Sequence, residues 1–263
     1  MARLKKIQLM FILFFAFSLF NQVLAKEQHE AQENMQVWLE TSLKRIFPQS
    51  PASVSPFLEL DVARNSKVAF QVGFHSNMKD QTQIACSIEA EELDPLVRYV
   101  GLVPLRHFNT DVRPEELDGV GYLPGLLPDP LYPLTKVDAN PFASRSFWVT
   151  LNIPANIEPG EHTYIVRLSW KEGKEDKTKD LTLKLQVSSL IIKPRQNFHV
   201  THWWRGEATS LYHKTDLYSE RWWQLTRAQM KNLIEHGNDV AFIQNLFELR
   251  EVFKNPCQML IIN

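Results

Sequence analysis

Within residues 197–207 the sequence reads Asn-Phe-His-Val-Thr-His-Trp-Trp-Arg-Gly-Glu, which gathers His199, His202, Trp203, Trp204, Arg205 and Glu207 in one short stretch. Indole rings offer flat apolar faces, and a guanidinium and a carboxylate offer directed hydrogen bonds. These are the residue types of a pocket with a few placed polar groups. The same two tryptophans could instead fill an internal seam, and the residue types alone leave both readings open. Elsewhere the chain is poorer in chemistry. Glu91-Glu92 and Glu115-Glu116 are acidic neighbours in loops after strand patterns and read as solvated faces. No Gly-x-Ser-x-Gly sequence marks an activated serine, and neither Cys86 nor Cys257 sits in a recognisable nucleophile context. Without a Cys-x-x-Cys spacing, the sequence supplies no ligand set for zinc, and no cofactor is expected. Export would permit a disulfide between the two cysteines, while a buried free thiol at Cys86 is the competing reading.

Residues 1–25 stand apart from the fold. Arg3, Lys5 and Lys6 precede an apolar run over residues 7–20, and Val23-Leu24-Ala25 supplies small residues for cleavage. The apolar run is shorter than the roughly 20 residues a membrane-spanning helix needs, so a secretory signal peptide cleaved near Ala25 is expected, with no stable membrane anchor afterwards. Beyond Ala25 the chain carries 26 Lys and Arg against 30 Asp and Glu, a net charge of −4. That balance argues against nucleic acid as a partner. Oligomeric state is not legible.

Residues 26–36 read as a polar leader, and residues 37–195 as an antiparallel β-sandwich. Residues 37–47 suit an edge strand, closed by the proline and serine cluster of residues 48–56. Period-two alternation follows in Leu58, Leu60 and Val62, then in Val68, Phe70, Val72 and Phe74, with Arg64-Asn65-Ser66 as the turn between them. Ile84, Cys86 and Ile88 form another alternating set, and residues 97–108 one more strand. Residues 119–134 hold four prolines among large apolar residues and read as a loop that packs on a neighbour, barred from a central strand. Phe147, Val149, Leu151 and Ile153, then Tyr164, Val166, Leu168 and Trp170, then Leu181, Leu183, Leu185 and Val187 continue the sheets, with residues 173–179 as a charged turn. About seven to nine strands at this spacing make a sandwich. Trp148 lies on the face opposite its strand's aliphatic set, either a stacking platform for sugar or a ring packed against a loop or another domain.

After residue 195 the pattern changes. The 197–207 stretch reads as a strand and the loop beyond it. Ser219 can cap a helix that carries Glu220 in its first turn and Trp223, Met230, Leu233 and Ile234 at helical spacing, with Gly237 as its stop. His236 in the last turn suits a helix C-terminus rather than catalysis. Residues 239–243 form a second strand. The fold class expected is mainly β: an N-terminal sandwich, then over residues 196–263 an incomplete (β/α)-barrel start. A complete barrel takes about 250 residues, so at most two βα units fit.

Several phrases together resemble glycoside hydrolase family 123 and its bacterial relatives, in which a β-sandwich precedes a (β/α)-barrel catalytic domain. They are Ala63-Arg64-Asn65 with Phe70-Gln71; Leu127-Pro128-Asp129-Pro130-Leu131-Tyr132-Pro133; Phe147-Trp148-Val149 with Ile153-Pro154 and Pro159-Gly160-Glu161-His162; and His236-Gly237-Asn238. The resemblance implies hydrolysis of N-acetylhexosaminides by attack of the substrate's own acetamido oxygen, assisted by an Asp-Glu pair on a later barrel strand. No Asp-Glu dipeptide occurs in this chain. The expectation is the front portion of a secreted, glycan-directed hydrolase, inactive alone and truncated. The alternative is a non-catalytic carbohydrate-binding or adhesive sandwich of the cell envelope, with Trp148 or the proline-rich loop as its contact surface. Barrel enzymes place their chemistry at the C-terminal ends of strands, which points to His202, Trp203, Trp204, Arg205 and Glu207 for any glycan contact.

Overall fold

The computed structural model describes residues 33–107, 113, 121–193, 198–243 and 259–261. The expected signal peptide, Glu115-Glu116 and Cys257 lie outside the described residues. Two compact units divide the chain, Met1–Lys193 and Pro194–Asn263.

Among the described residues the first unit is a sandwich of ten strands, more than the count the spacing implied. One sheet runs in the order β1 (Met35–Thr41), β3 (Ser66–Ser76), β8 (Ser144–Ile153), β5 (Leu96–Leu105), β6 (Gly125–Tyr132). The other runs β2 (Phe57–Arg64), β10 (Glu175–Ile191), β9 (Gly160–Glu172), β4 (Thr82–Glu89), β7 (Lys136–Ala139). Among the described residues, all pairings in this unit are antiparallel except β2 with β10, which run parallel from Phe57 opposite Thr182 to Val62 opposite Val187.

Alternation decides what is buried. Phe70, Val72 and Phe74 of β3, Phe147, Val149 and Leu151 of β8, Val166 and Leu168 of β9, and Leu181, Leu183 and Leu185 of β10 meet in one core with almost no exposed surface. Cys86 lies in that core as a free thiol, and burial pushes its pKa up to about 12.

Three segments depart from the sequence reading. Residues 35 and 36 of the expected leader belong to β1, and Met35 is already buried. The proline-rich segment is a strand over Gly125–Tyr132 rather than a loop; it sits at the edge of its sheet, and its pairing with β5 shifts register between Val100 and Leu102. Edges and bulges are the places where a sheet accepts proline. The charged turn shrinks to Gly173-Lys174, with Gly173 at φ 63°, and β10 begins at Glu175.

The outer faces of the two sheets are treated differently. On the β10 sheet, Arg167 donates from Nε and Nη2 to both carboxylate oxygens of Asp180 at 2.7 and 2.8 Å and from Nη1 to Glu89 at 2.9 Å, while Lys184 pairs with Glu161 at 2.6 Å. On the β3 sheet a strap, residues 42–55, crosses the face. Gln71 is only 3% exposed and donates to the carbonyls of Thr41 and Lys44, while Ser146 Oγ donates to Gln71 Oε1 at 3.1 Å. Ser144 Oγ donates to the carbonyl of Ser50, and His75 Nδ1 lies 2.8 Å from the same hydroxyl. Ile46 and Phe47 of the strap are buried, and Phe47 stacks on Tyr122 at 4.7 Å. Trp38 lies on this face too, against Gly73, where an added Cβ would come within 2.7 Å of the indole nitrogen.

Candidate functional site

The second unit is built on two short parallel strands, β11 (Thr201–Trp204) and β12 (Val240–Ile243), with Thr201 opposite Val240 and Trp204 opposite Ile243. A third strand, β13 (Met259–Ile261), pairs antiparallel with β12. Between β11 and β12 the chain forms two helices, α1 (Gly206–His213) and α2 (Glu220–Glu235). A parallel pair joined through helices is the βαβ unit expected here.

Local chemistry fixes each element. At the strand entrance Asp239 accepts from the backbone N–H of Val200 at 2.8 Å and meets His199 Nδ1 at 2.7 Å, which ties the starts of both strands together. Helix α2 starts at Ser219, whose hydroxyl accepts from the backbone of Trp222, and carries Glu220 in its first turn. It ends with His236 Nδ1 donating to the carbonyl of Asn232 at 2.8 Å and Gly237 at φ 80°. Its buried stripe is Trp222, Thr226 and Met230, at intervals of four.

The helix α1 replaces the loop expected after β11, so Arg205 alone separates strand from helix, at the N-cap position with no side-chain capping bond. Glu207 falls in the first turn of α1 and is half-buried. His202 and Trp203 lie within the strand; both are exposed, Trp203 at 69%. Trp204 takes the seam position instead. At 8% exposure its ring packs 5.7 Å from Trp222, and its Nε1 donates to Gln229 Oε1 at 2.7 Å.

Three residues that the sequence did not single out complete the corner. Gln229 Oε1 also accepts from Thr209 Oγ1 at 2.9 Å, so a single oxygen joins β11, α1 and α2. Gly206 lies between the two indoles: an added Cβ would meet Trp222 Cζ2 at 2.9 Å and Trp204 Cη2 at 3.3 Å, and the Gly206 carbonyl accepts from Trp222 Nε1 at 3.1 Å. The spacing of Trp222, Thr226 and Met230 could have drawn attention to Gln229 at the margin of that stripe. Nothing local points to Gly206.

Other sequence candidates are placed elsewhere. Glu91 and Glu92 are exposed on a single 3-10 turn, Glu91–Leu93. Trp148 is half-buried on the strap-bearing face, in register between Gln71 and Arg98. Among the described residues no group of three or more His, Cys, Asp or Glu is placed to hold a metal ion.

Residues 203–263 match the model of the glycoside hydrolase 123 catalytic domain, a match that opens within β11 and takes in the whole corner. The chain is similar to the family 123 glycoside hydrolases. Among solved structures, a family 123 glycoside hydrolase from Clostridium perfringens, studied for glycolipid glycan hydrolysis, superposes with a TM-score of 0.60 over 78% of this chain at 12% identity. The family 123-like chain spans 37% of the length of that enzyme, and the likeness is one of fold. A PapD-like domain of human CEP192 (TM-score 0.31, 8% identity, 58% of this chain and 85% of that one) and the YadV chaperone (0.31, 4%, 62% and 56%) are too distant to carry an argument. No curated protein matches by sequence.

Proposed function

We propose that this family 123-like chain is an exported glycoside hydrolase-like protein directed at N-acetylhexosaminide glycans, and that, as given, it holds glycan without cleaving it. The observation that carries the reading is the C-terminal end of β11. Parallel strands joined through helices present ligands at this end of the sheet, and here Arg205 at the N-cap and Glu207 in the first turn of α1 follow directly on the strand that carries the exposed Trp203. A guanidinium and a carboxylate can bind sugar hydroxyls, and an indole can stack on a sugar's apolar face.

Cleavage by the acetamido route needs one carboxylate to orient the substrate amide and a second, protonated, to give its proton to the leaving oxygen. No Asp-Glu pair is present to divide those roles. Export is part of the proposal and rests on the basic, apolar and small-residue segments of residues 1–25.

The test is a paired measurement on the purified chain, with calorimetric titration of N-acetylgalactosamine and N-acetylglucosamine beside release of nitrophenol from their aryl β-glycosides. Saturable binding without turnover is expected. Enzyme-like turnover would overturn the inactive assignment, and loss of both signals would overturn the glycan-directed one.

A further inference from the structure

We infer that Gln229 is a positioning residue for the glycan-facing end of β11; the inference rests on the reading just given and adds the residue that holds that site in place. Arg205 and Glu207 are joined to the unit through a backbone with little local reason to hold one direction. Arg205 makes no capping bond, and α1 begins with glycine and lasts only eight residues. An isolated helix of that length is not stable in water, so its orientation has to come from contacts with other elements.

Beside the Trp222 Nε1 bond to the Gly206 carbonyl, two of those contacts share one amide oxygen. Gln229, on α2, accepts from Trp204 Nε1 immediately before Arg205 and from Thr209 Oγ1 two residues after Glu207. The two bonded residues therefore bracket the segment that carries Arg205 and Glu207. Trp204 and Thr209 are 8% and 4% exposed, so an indole N–H and a hydroxyl at this seam would be left unpaired if the oxygen were lost. A buried donor without an acceptor is costly, and the corner would turn to hydrate it. Gln229 reaches no ligand in this account and acts only through the direction of the corner.

The experiment compares three variants of the full chain by titration with N-acetylgalactosamine, each at a temperature where thermal unfolding shows it folded. Gln229→Leu removes the acceptor and is expected to weaken binding by about tenfold or more, the equivalent of one hydrogen bond of ordinary strength. Gln229→Glu keeps an acceptor oxygen at that position and is expected to bind like the parent. Met230→Ala, one position along the same helix in the buried stripe, is expected to lower the unfolding temperature and leave affinity unchanged. If Gln229→Leu binds as tightly as the parent, or if Met230→Ala loses affinity to the same extent, the positioning role is overturned while the glycan reading stands. A parent chain that binds no sugar overturns both.

Discussion

Alanine at position 206 sets two effects of opposite sign against each other. Replacing glycine near the start of a helix reduces the backbone entropy lost on folding and is worth about 0.5–1 kcal/mol in favour of the variant. Against this stands the new methyl group, 2.9 Å from Trp222 Cζ2 and 3.3 Å from Trp204 Cη2. Neither ring yields cheaply. Trp204 is tied to Gln229 and Trp222 to the Gly206 carbonyl, and their exposures are 8% and 4%. Inserting a methyl into a packed site costs about 1–3 kcal/mol, so the clash wins and Gly206→Ala should destabilise the second unit by roughly 1–2 kcal/mol. Because the two units can unfold separately, hydrogen exchange resolved along residues 201–243 is the suitable assay: faster exchange is expected across α1 and α2, with the sandwich strands unchanged. Slower exchange in α1 than in the parent would show that the indoles have room to move and that backbone entropy decides the sign, which would refute the account of this corner as a packed constraint.

Other expectations concern the sandwich. Gln71→Leu removes the amide that holds the carbonyls of Thr41 and Lys44 and leaves Ser146 Oγ, buried at 1% exposure, without its acceptor, so a loss of about 1–3 kcal/mol is expected in urea unfolding; limited proteolysis should then cut within residues 42–55. His75 has its pKa lowered by burial, with a hydrogen bond to Asn77 opposing the shift. Protonation therefore favours the unfolded chain, so its contribution to stability is complete above the ordinary value near 6.5 and is lost as pH falls from there through the depressed folded value. A His75→Gln variant should lack this part of the pH slope in equilibrium unfolding, and an unchanged slope would remove His75 as its source. Burial that pushes the Cys86 thiol up to about 12 should keep it unalkylated in the native chain at pH 8, with labelling only in denaturant when the peptide is read by mass spectrometry.

What was legible in the sequence was local. Phe70, Val72 and Phe74, and again Phe147, Val149 and Leu151, alternate because each strand buries one face, and that period survives in the chain order. Ser219 and Gly237 could be read as helix ends because capping is a bond between near neighbours. The strap could not, since its anchors Gln71, Ser144 and Ser146 are distant in sequence and sit on polar positions that alternation assigns to water. The α1 helix was missed for a related reason. Gly-Glu-Ala-Thr-Ser-Leu-Tyr-His has no apolar stripe and no capping side chain, and it is held by Trp222 at Gly206 and by Gln229 at Thr209, contacts that no local pattern announces. Within the five-residue candidate site, the parity of β11 could not separate a stacking tryptophan from a packed one, because the deciding partners, Trp222 and Gln229, lie on a helix that begins 16 residues after Trp204.

The sandwich itself supplies a reason to look for ligand chemistry in the second unit. A sheet face that binds sugar needs side chains with spare hydrogen-bonding capacity and an accessible ring. On the β10 sheet the guanidinium of Arg167 is shared between Asp180 and Glu89, and Lys184 is paired with Glu161, so these groups are engaged with one another. On the β3 sheet the amide of Gln71 and the hydroxyls of Ser144 and Ser146 are spent on the strap, Trp38 is 2% exposed, and Arg98 beside Trp148 already donates to Thr150 at 2.9 Å. By contrast His202, Trp203 and Arg205 are exposed at consecutive or near-consecutive positions where β11 gives way to α1, with the packing of that corner handled by Trp204, Gly206 and Thr209 between them. Inward residues carry the structure there and leave the outward ones exposed to solvent, an arrangement that suits contact with a polar ligand better than either face of the sandwich does.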